Sequence, residues 1–259
     1  MKKIITVAVM CAAASLFAAE TIDLMQSAAW GNPACMTEQN GVLTIKGKQQ
    51  LFISKAFPVD PAKTYTITAT CHSANGKSAA FMPIVIQYDA AGKPIGTGRV
   101  KTINGTFTEL LAPVSFGAKT LLVKDAKLWL KKRLLCIAFN AKEDYSDLPN
   151  NRIAWTTIVD ITPKDGAYQV TLDKAIPFSA PAGGIRQHHN GPLYIYPVGG
   201  RKTSGGWDKL SGKISGMARN DFPQNQWAQG AKTAKLGLLI NAPSPDTLTD
   251  VKDLKIVIE

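Results

Sequence analysis

Residues 64–72 run Thr-Tyr-Thr-Ile-Thr-Ala-Thr-Cys-His, and this stretch constrains the fold more than any other. In an extended chain successive side chains point to opposite faces. Tyr65, Ile67, Ala69 and Cys71 then make one apolar face, and Thr64, Thr66, Thr68, Thr70 and His72 make one hydrogen-bonding face. Such a segment is a half-buried strand of an antiparallel sheet. Small and turn-forming residues follow at 73–76, and a second run spans Ala80–Tyr88. Met82, Ile84, Ile86 and Tyr88 share one of its faces. Phe81 and Val85 make the other face apolar too, which places the strand deep in a sheet. Asp89-Ala-Ala-Gly-Lys-Pro94 then turns the chain.

The same cadence extends over the chain. A short strand is expected at 21–25, a hairpin of 41–46 with 49–55 around Gly47-Lys48, a strand at 97–102, a turn at Asn104-Gly105 and a strand at 106–114. Near Phe116 the segments shorten. Strands at 134–139, 153–161, 168–172 and 185–188 alternate with turn clusters at 144–151, 163–166 and 180–184. Longer strands return at 193–197, 206–216, 231–241 and 249–259, with Leu236, Leu238 and Ile240, then Leu254, Ile256 and Ile258, alternating.

Residues 1–19 read as an export leader. Lys2 and Lys3 precede the apolar run Ile4–Phe17, and Ala18-Ala19 offers a cleavage site before Glu20. Met10 before Cys11 does not suit a lipoprotein signal. No second long apolar run follows, so a secreted or periplasmic chain without a membrane span is expected. The formal charge is +11, or about +9 without the leader lysines. A basic exported protein is drawn to anionic partners. The densest cluster, Lys131-Lys132-Arg133, has no interleaved aromatics, which argues against nucleic acid as partner. Cys35, Cys71 and Cys136 remain after the leader. They read as three small buried hydrophobes, with a Cys35–Cys71 disulfide as the alternative.

Five segments carry a resemblance: Tyr65–Thr70, Gln87–Ile95, Gly206–Gly216, Trp227–Asn241 and Val251–Ile258. Their patterns and order resemble the jelly-roll carbohydrate-binding modules of secreted bacterial proteins. Residues 117–196 interrupt that order. They resemble a segment of secreted bacterial β-proteins of uncertain function, most specifically at Asp144-Tyr-Ser-Asp-Leu-Pro-Asn150, and depart from it at Lys131-Lys-Arg-Leu-Leu135. The resemblance implies an all-β, antiparallel β-sandwich (jelly roll) built from 20–118 and 191–259, with an inserted small β-barrel-like subdomain at 119–190. It also implies a polysaccharide or glycan partner and a structural calcium held by Asp23, Asp250 or Asp253. No EF-hand spacing accompanies these three.

Catalytic signatures are sparse. There is no Gly-x-Ser-x-Gly, His-Glu-x-x-His, phosphate-cradling loop or Cys-x-x-Cys, and no catalytic residue is assigned. His188 and His189 point to opposite faces of a strand. Asp144 and Asp147 suit a turn better than a hydrolase carboxyl pair. Arg186 and His188, two apart on one strand face, could supply the cation and the base of a lyase. Sugar binding needs exposed aromatics bracketed by polar groups. Trp30 and Trp227 lie in polar loops and are expected to be exposed. Gln87 and Arg99 are expected to face a concave sheet. Trp129 and Trp155 are expected in the core, and Trp207 is open between packing and ligand contact. An exported, non-catalytic carbohydrate-binding or cell-envelope protein is therefore the first reading. A polysaccharide lyase or hydrolase with its site between insert and sandwich is the second, and a structural or adhesive surface protein the third.

Overall fold

The structure, a computed structural model, describes residues 19–131 and 134–259. Residues 1–18, with nearly all of the expected leader, and Lys132 and Arg133 of the basic cluster lie outside the described residues. The first part of the chain forms β1 (Glu20–Asp23), β2 (Met36–Gln39), β3 (Val42–Lys46), β4 (Gln49–Phe52), β5 (Phe57–Pro58), β6 (Thr64–Ser73), β7 (Ala80–Tyr88), β8 (Pro94–Ile95) and a one-turn helix α1 (Thr97–Val100). The middle forms β9 (Thr108–Leu110), β10 (Thr120–Val123), β11 (Leu135–Phe139), β12 (Ile153–Ala154), β13 (Ile158–Lys164), β14 (Ala167–Leu172) and β15 (Gly183–His189). The last part forms β16 (Tyr194–Ile195), β17 (Arg201–Lys202), β18 (Asp208–Ser215), β19 (Thr233–Asn241) and β20 (Leu248–Ile258).

The two ends of the chain interleave in both sheets of an antiparallel sandwich. In the six-stranded sheet the order is β18-β6-β20-β3-β2, with β1 also on β20. In the second sheet the order is β16-β7-β19-β4, with β8 and β17 on β7 and β5 on β19. β20 lies along β6 from Ile258 opposite Tyr65 to Thr249 opposite Ser73. β19 lies along β7 from Thr233 opposite Tyr88 to Asn241 opposite Ala80. One core fills the space between the sheets, including Ile45, Ile67, Phe81, Val85, Leu238 and Ile256. The alternation of β6 holds: Tyr65, Ile67, Ala69 and Cys71 are all buried there.

β7 is buried on both faces, as its two apolar faces imply: Phe81 and Val85 enter the sandwich core, and Ile84 on the other face is fully buried. Two local expectations are corrected. Residues 41–46 and 49–55 form no hairpin. β3 pairs with β2 and β20, β4 pairs with β19, and the turn at Gly47 (φ 71°) carries the chain between sheets. Residues 97–100 form α1 rather than a strand.

The middle segment makes a seven-stranded sheet of its own, in the order β12-β11-β15-β9-β10-β14-β13. Its two end strands, β12 and β13, are joined by residues 155–157 alone, so the sheet must curl until its edges approach. A separate core fills it, with Leu121, Val123, Ile137, Phe139, Val170 and Ile185. The unit begins earlier than residue 119. β9 pairs with β10 and β15, and Leu110 and Val114 belong to this second core.

The loop at 144–151 joins the two units. Leu148 is buried in the sandwich core and Tyr145 packs against it. From the sandwich side, Arg99 donates to the Asn150 carbonyl (3.3 Å), to the Pro94 carbonyl (2.8 Å) and to Asp89 (2.7 Å). The Asn150 amide N–H donates back to the Arg99 carbonyl (2.8 Å). The loop keeps its shape through the two carboxylates flagged in the sequence. Asp147 accepts from the Lys142 N–H (2.8 Å) and from the Asn150 side chain (2.8 Å), and Asp144 accepts from the Ser146 N–H (3.0 Å).

Trp227 is fully buried in the sandwich core, edge-on to Tyr65 at 4.9 Å and to Phe57 at 6.4 Å. Truncating a core aromatic removes its transfer energy and leaves a cavity. Trp227→Ala should therefore cost about 3–5 kcal/mol of unfolding free energy, measured by urea denaturation. A loss below about 1 kcal/mol, the range of an exposed site, would contradict this placement.

Candidate functional site

The residues singled out for ligand contact separate sharply by exposure. Trp30 is 2% exposed, and its indole N–H donates to the Leu24 carbonyl (3.1 Å). Trp227 is 0% exposed. Their polar loops fold over the indoles, so the expected exposure of both is overturned. Gln87 is buried and accepts from the Ala228 N–H (2.7 Å), and Arg99 is buried in the joint. Neither faces an open sheet. Trp129 is in the second core, with its N–H on the Thr106 carbonyl (2.8 Å). Trp155, expected in the core, is about half exposed at 49%, with its indole laid over Gly98, where a Cβ would meet the ring at 2.2 Å.

Trp207 is the indole that remains in the sandwich, and it is 39% exposed. It immediately precedes β18, whose Asp208 stands opposite Cys71, so the indole reaches the neighbour of Cys71, His72. The two rings lie 4.1 Å apart, and the Lys252 Nζ sits 4.1 Å from the centre of the Trp207 ring. His72 Nε2 is 3.7 Å from Asp250, which also accepts from the Thr44 hydroxyl (2.6 Å). These side chains occupy the outer face of the six-stranded sheet. Thr66, Thr68 and Thr70 floor it. Lys209 and Lys213 face Thr70 and Thr66 from β18, and Lys252 and Lys255 face Thr70 and Thr68 from β20. None of these four lysines is ion-paired with a described residue. Carboxylates share the face with these lysines: Asp250, Asp253, and Asp23 directly opposite Lys255.

The alternation of residues 64–72 marked this face as polar, and Trp207 was among the sequence candidates. His72, Lys252 and the other lysines were missed. They meet only through the register of β18 and β20 on β6, and no signal within any one strand carries that register.

The three carboxylates expected to hold calcium serve separate partners. Asp23 accepts from the Met25 N–H (3.0 Å), Asp250 from Thr44, and Asp253 contacts the Thr70 hydroxyl (3.4 Å) beside the bulge in β20. Among the described residues no group of three or more His, Cys, Asp and Glu side chains is placed to hold a metal ion. The three cysteines are free thiols. Burial pushes Cys71 and Cys136 up to about 12, which keeps both protonated and unreactive.

Arg186 and His188 do share a strand face, as expected, but both are buried. Arg186 is ion-paired with Asp147, donates to the Lys142 carbonyl, and stacks on Tyr145 at 4.8 Å. The His188 Nδ1 is 2.9 Å from the Gly98 carbonyl. Burial, opposed by that carbonyl and aided by Arg186, pushes His188 down from 6.5 to about 4. Neither side chain can meet a polymer. They hold the inserted unit to α1 and to the 144–151 loop.

Compared with protein-family models, curated proteins and solved structures, the chain finds no match. Among the described residues no helix is long and apolar enough to cross a membrane.

Two outcomes follow from the joint. Asp147→Asn leaves a buried guanidinium without its counter-charge and should cost about 3–5 kcal/mol in urea denaturation; a cost under about 1 kcal/mol would show that the pair is solvated. His188 is neutral in the folded chain and charges in the unfolded one below 6.5, so stability falls as pH drops from 6.5 towards 4. The loss from this residue reaches about 3 kcal/mol. His188→Gln should flatten the pH profile across that window, and an unchanged profile would contradict the assignment.

Proposed function

We propose that this is an exported, non-catalytic protein that binds polysaccharide, acidic polymers foremost, on the outer face of its six-stranded sheet at Trp207. The observation that carries this reading is a half-exposed indole at the edge of a threonine-floored face with four lysines unpaired among the described residues. An indole offers the flat apolar surface on which a pyranose stacks. Threonine hydroxyls both donate and accept, as sugar hydroxyls do. Lys209, Lys213, Lys252 and Lys255 supply counter-charge for carboxylate or sulfate groups along a chain. The expected leader at 1–19 supports export. The buried state of Arg186 and His188 removes the main support for a lyase.

A glycan array probed with the chain lacking residues 1–19 tests the class of ligand. Tryptophan fluorescence titration with polygalacturonate tests the site. Trp207→Ala should weaken binding at least about tenfold, or about 1.4 kcal/mol. Raising the salt concentration should weaken it as well, because Lys209, Lys213 and Lys255 are solvent-exposed. A blank array, or affinity unmoved by Trp207→Ala, would refute the proposal.

A further inference from the structure

The inserted unit carries an open groove of about 630 Å³, formed where β10 stops short of its neighbours. Val123, the last residue of β10, pairs with Leu110 on one side and Tyr168 on the other. Beyond it, the Lys127 N–H bonds to the Asp125 carboxylate (2.9 Å) and the chain turns away. The β13–β14 hairpin runs on to its turn at Asp165-Gly166 (φ 48° and 78°). The gap between these elements is the groove. We propose that it is a second glycan site, one that takes an uncharged oligosaccharide.

Two aromatic rings line it. Tyr168 packs against the second core from its other side. Phe107 is held from behind by the Arg186 guanidinium at 5.8 Å and by Gly184, where a Cβ would fall 3.0 Å from the ring. Both residues are half-buried and line the opening, and a ring already held by its neighbours stacks a sugar at little entropic cost.

The rim decides the chemical class. Lys124, Lys127 and Lys164 share the rim with Glu109, Asp125 and Asp165, equal numbers of each sign, and Lys124 is ion-paired with Glu109 at 3.2 Å. Ammonium groups only donate hydrogen bonds and carboxylates only accept them. A sugar hydroxyl does both, so an uncharged polyol can bond to rim groups of either sign. A polyanion would meet three carboxylates, and a polycation three ammonium groups. The volume lies within the ~300–1,000 Å³ of pockets that enclose small ligands. No residue is shared with the Trp207 face, so the groove stands or falls independently of the function proposed above.

The test is a ¹⁵N-HSQC titration of the chain lacking residues 1–19 with cellohexaose, xylohexaose, mannohexaose and chitohexaose, each to about 10 mM, near the weak limit of specific affinity. At least one should shift amides confined to residues 107–109, 124–127 and 164–168. Tyr168→Ala should weaken that ligand at least about tenfold. Because Tyr168 also touches the core, the exposed pair Lys127→Met and Lys164→Met provides a second variant, which should weaken the same ligand with the spectrum otherwise intact. Trp207→Ala should leave it unchanged. No shifts with any of the four, shifts centred elsewhere, or tighter binding of a galacturonate hexamer at this groove would overturn the proposal.

Discussion

The pairing of β6 with β20 is the interaction on which the rest depends. It joins residue 65 to residue 258 across nearly the whole chain. With β7 on β19 in the opposite sheet, it makes the two ends of the polypeptide into one sandwich with one interior. Such long-range pairings are entropically costly to close, so burial of the core between the sheets must offset them. The inserted unit can then enter and leave the sandwich at adjacent points. Its sheet is continuous and its core separate.

Much of this was legible in the sequence, and the reason is the period of two. Thr64–His72 announced both its faces. The terminal strands announced theirs, and the resemblance of the long strands to jelly-roll modules implied a split sandwich. What could not be read was which strands lie side by side. Gly41–Lys55 looks like a hairpin but serves two sheets, because a turn residue at Gly47 does not say whether the chain returns or crosses. The start of the inserted unit was misplaced because β9 has only three residues and owes its sheet membership to distant partners.

The tryptophans show the same limit at the level of side chains. Trp30 and Trp227 lie among Gly, Asn and Gln, and flanking composition pointed outward. Burial won because Trp30 finds a carbonyl for its N–H and Trp227 completes an aromatic cluster. Trp155, preceded by Ile153 and Ala154, stays half exposed and lies over Gly98 at the joint. Charges divide in a parallel way. Arg99, Arg186 and Asp147 are buried, paired and structural, whereas Lys209, Lys213, Lys252 and Lys255 stand on an open face, unpaired among the described residues. Buried, paired charges fix the architecture, and exposed, unpaired ones are left for a ligand.

The most direct measurement is the set of cross-strand nuclear Overhauser contacts between the ends of the chain in solution. Backbone contacts of Ile67 with Ile256 and of Phe81 with Ile240 should both appear, since each pair is in register in a different sheet. Strand-like shifts at all four residues with neither contact present would mean that the ends fold apart, and the shared sandwich with its ligand face would be contradicted.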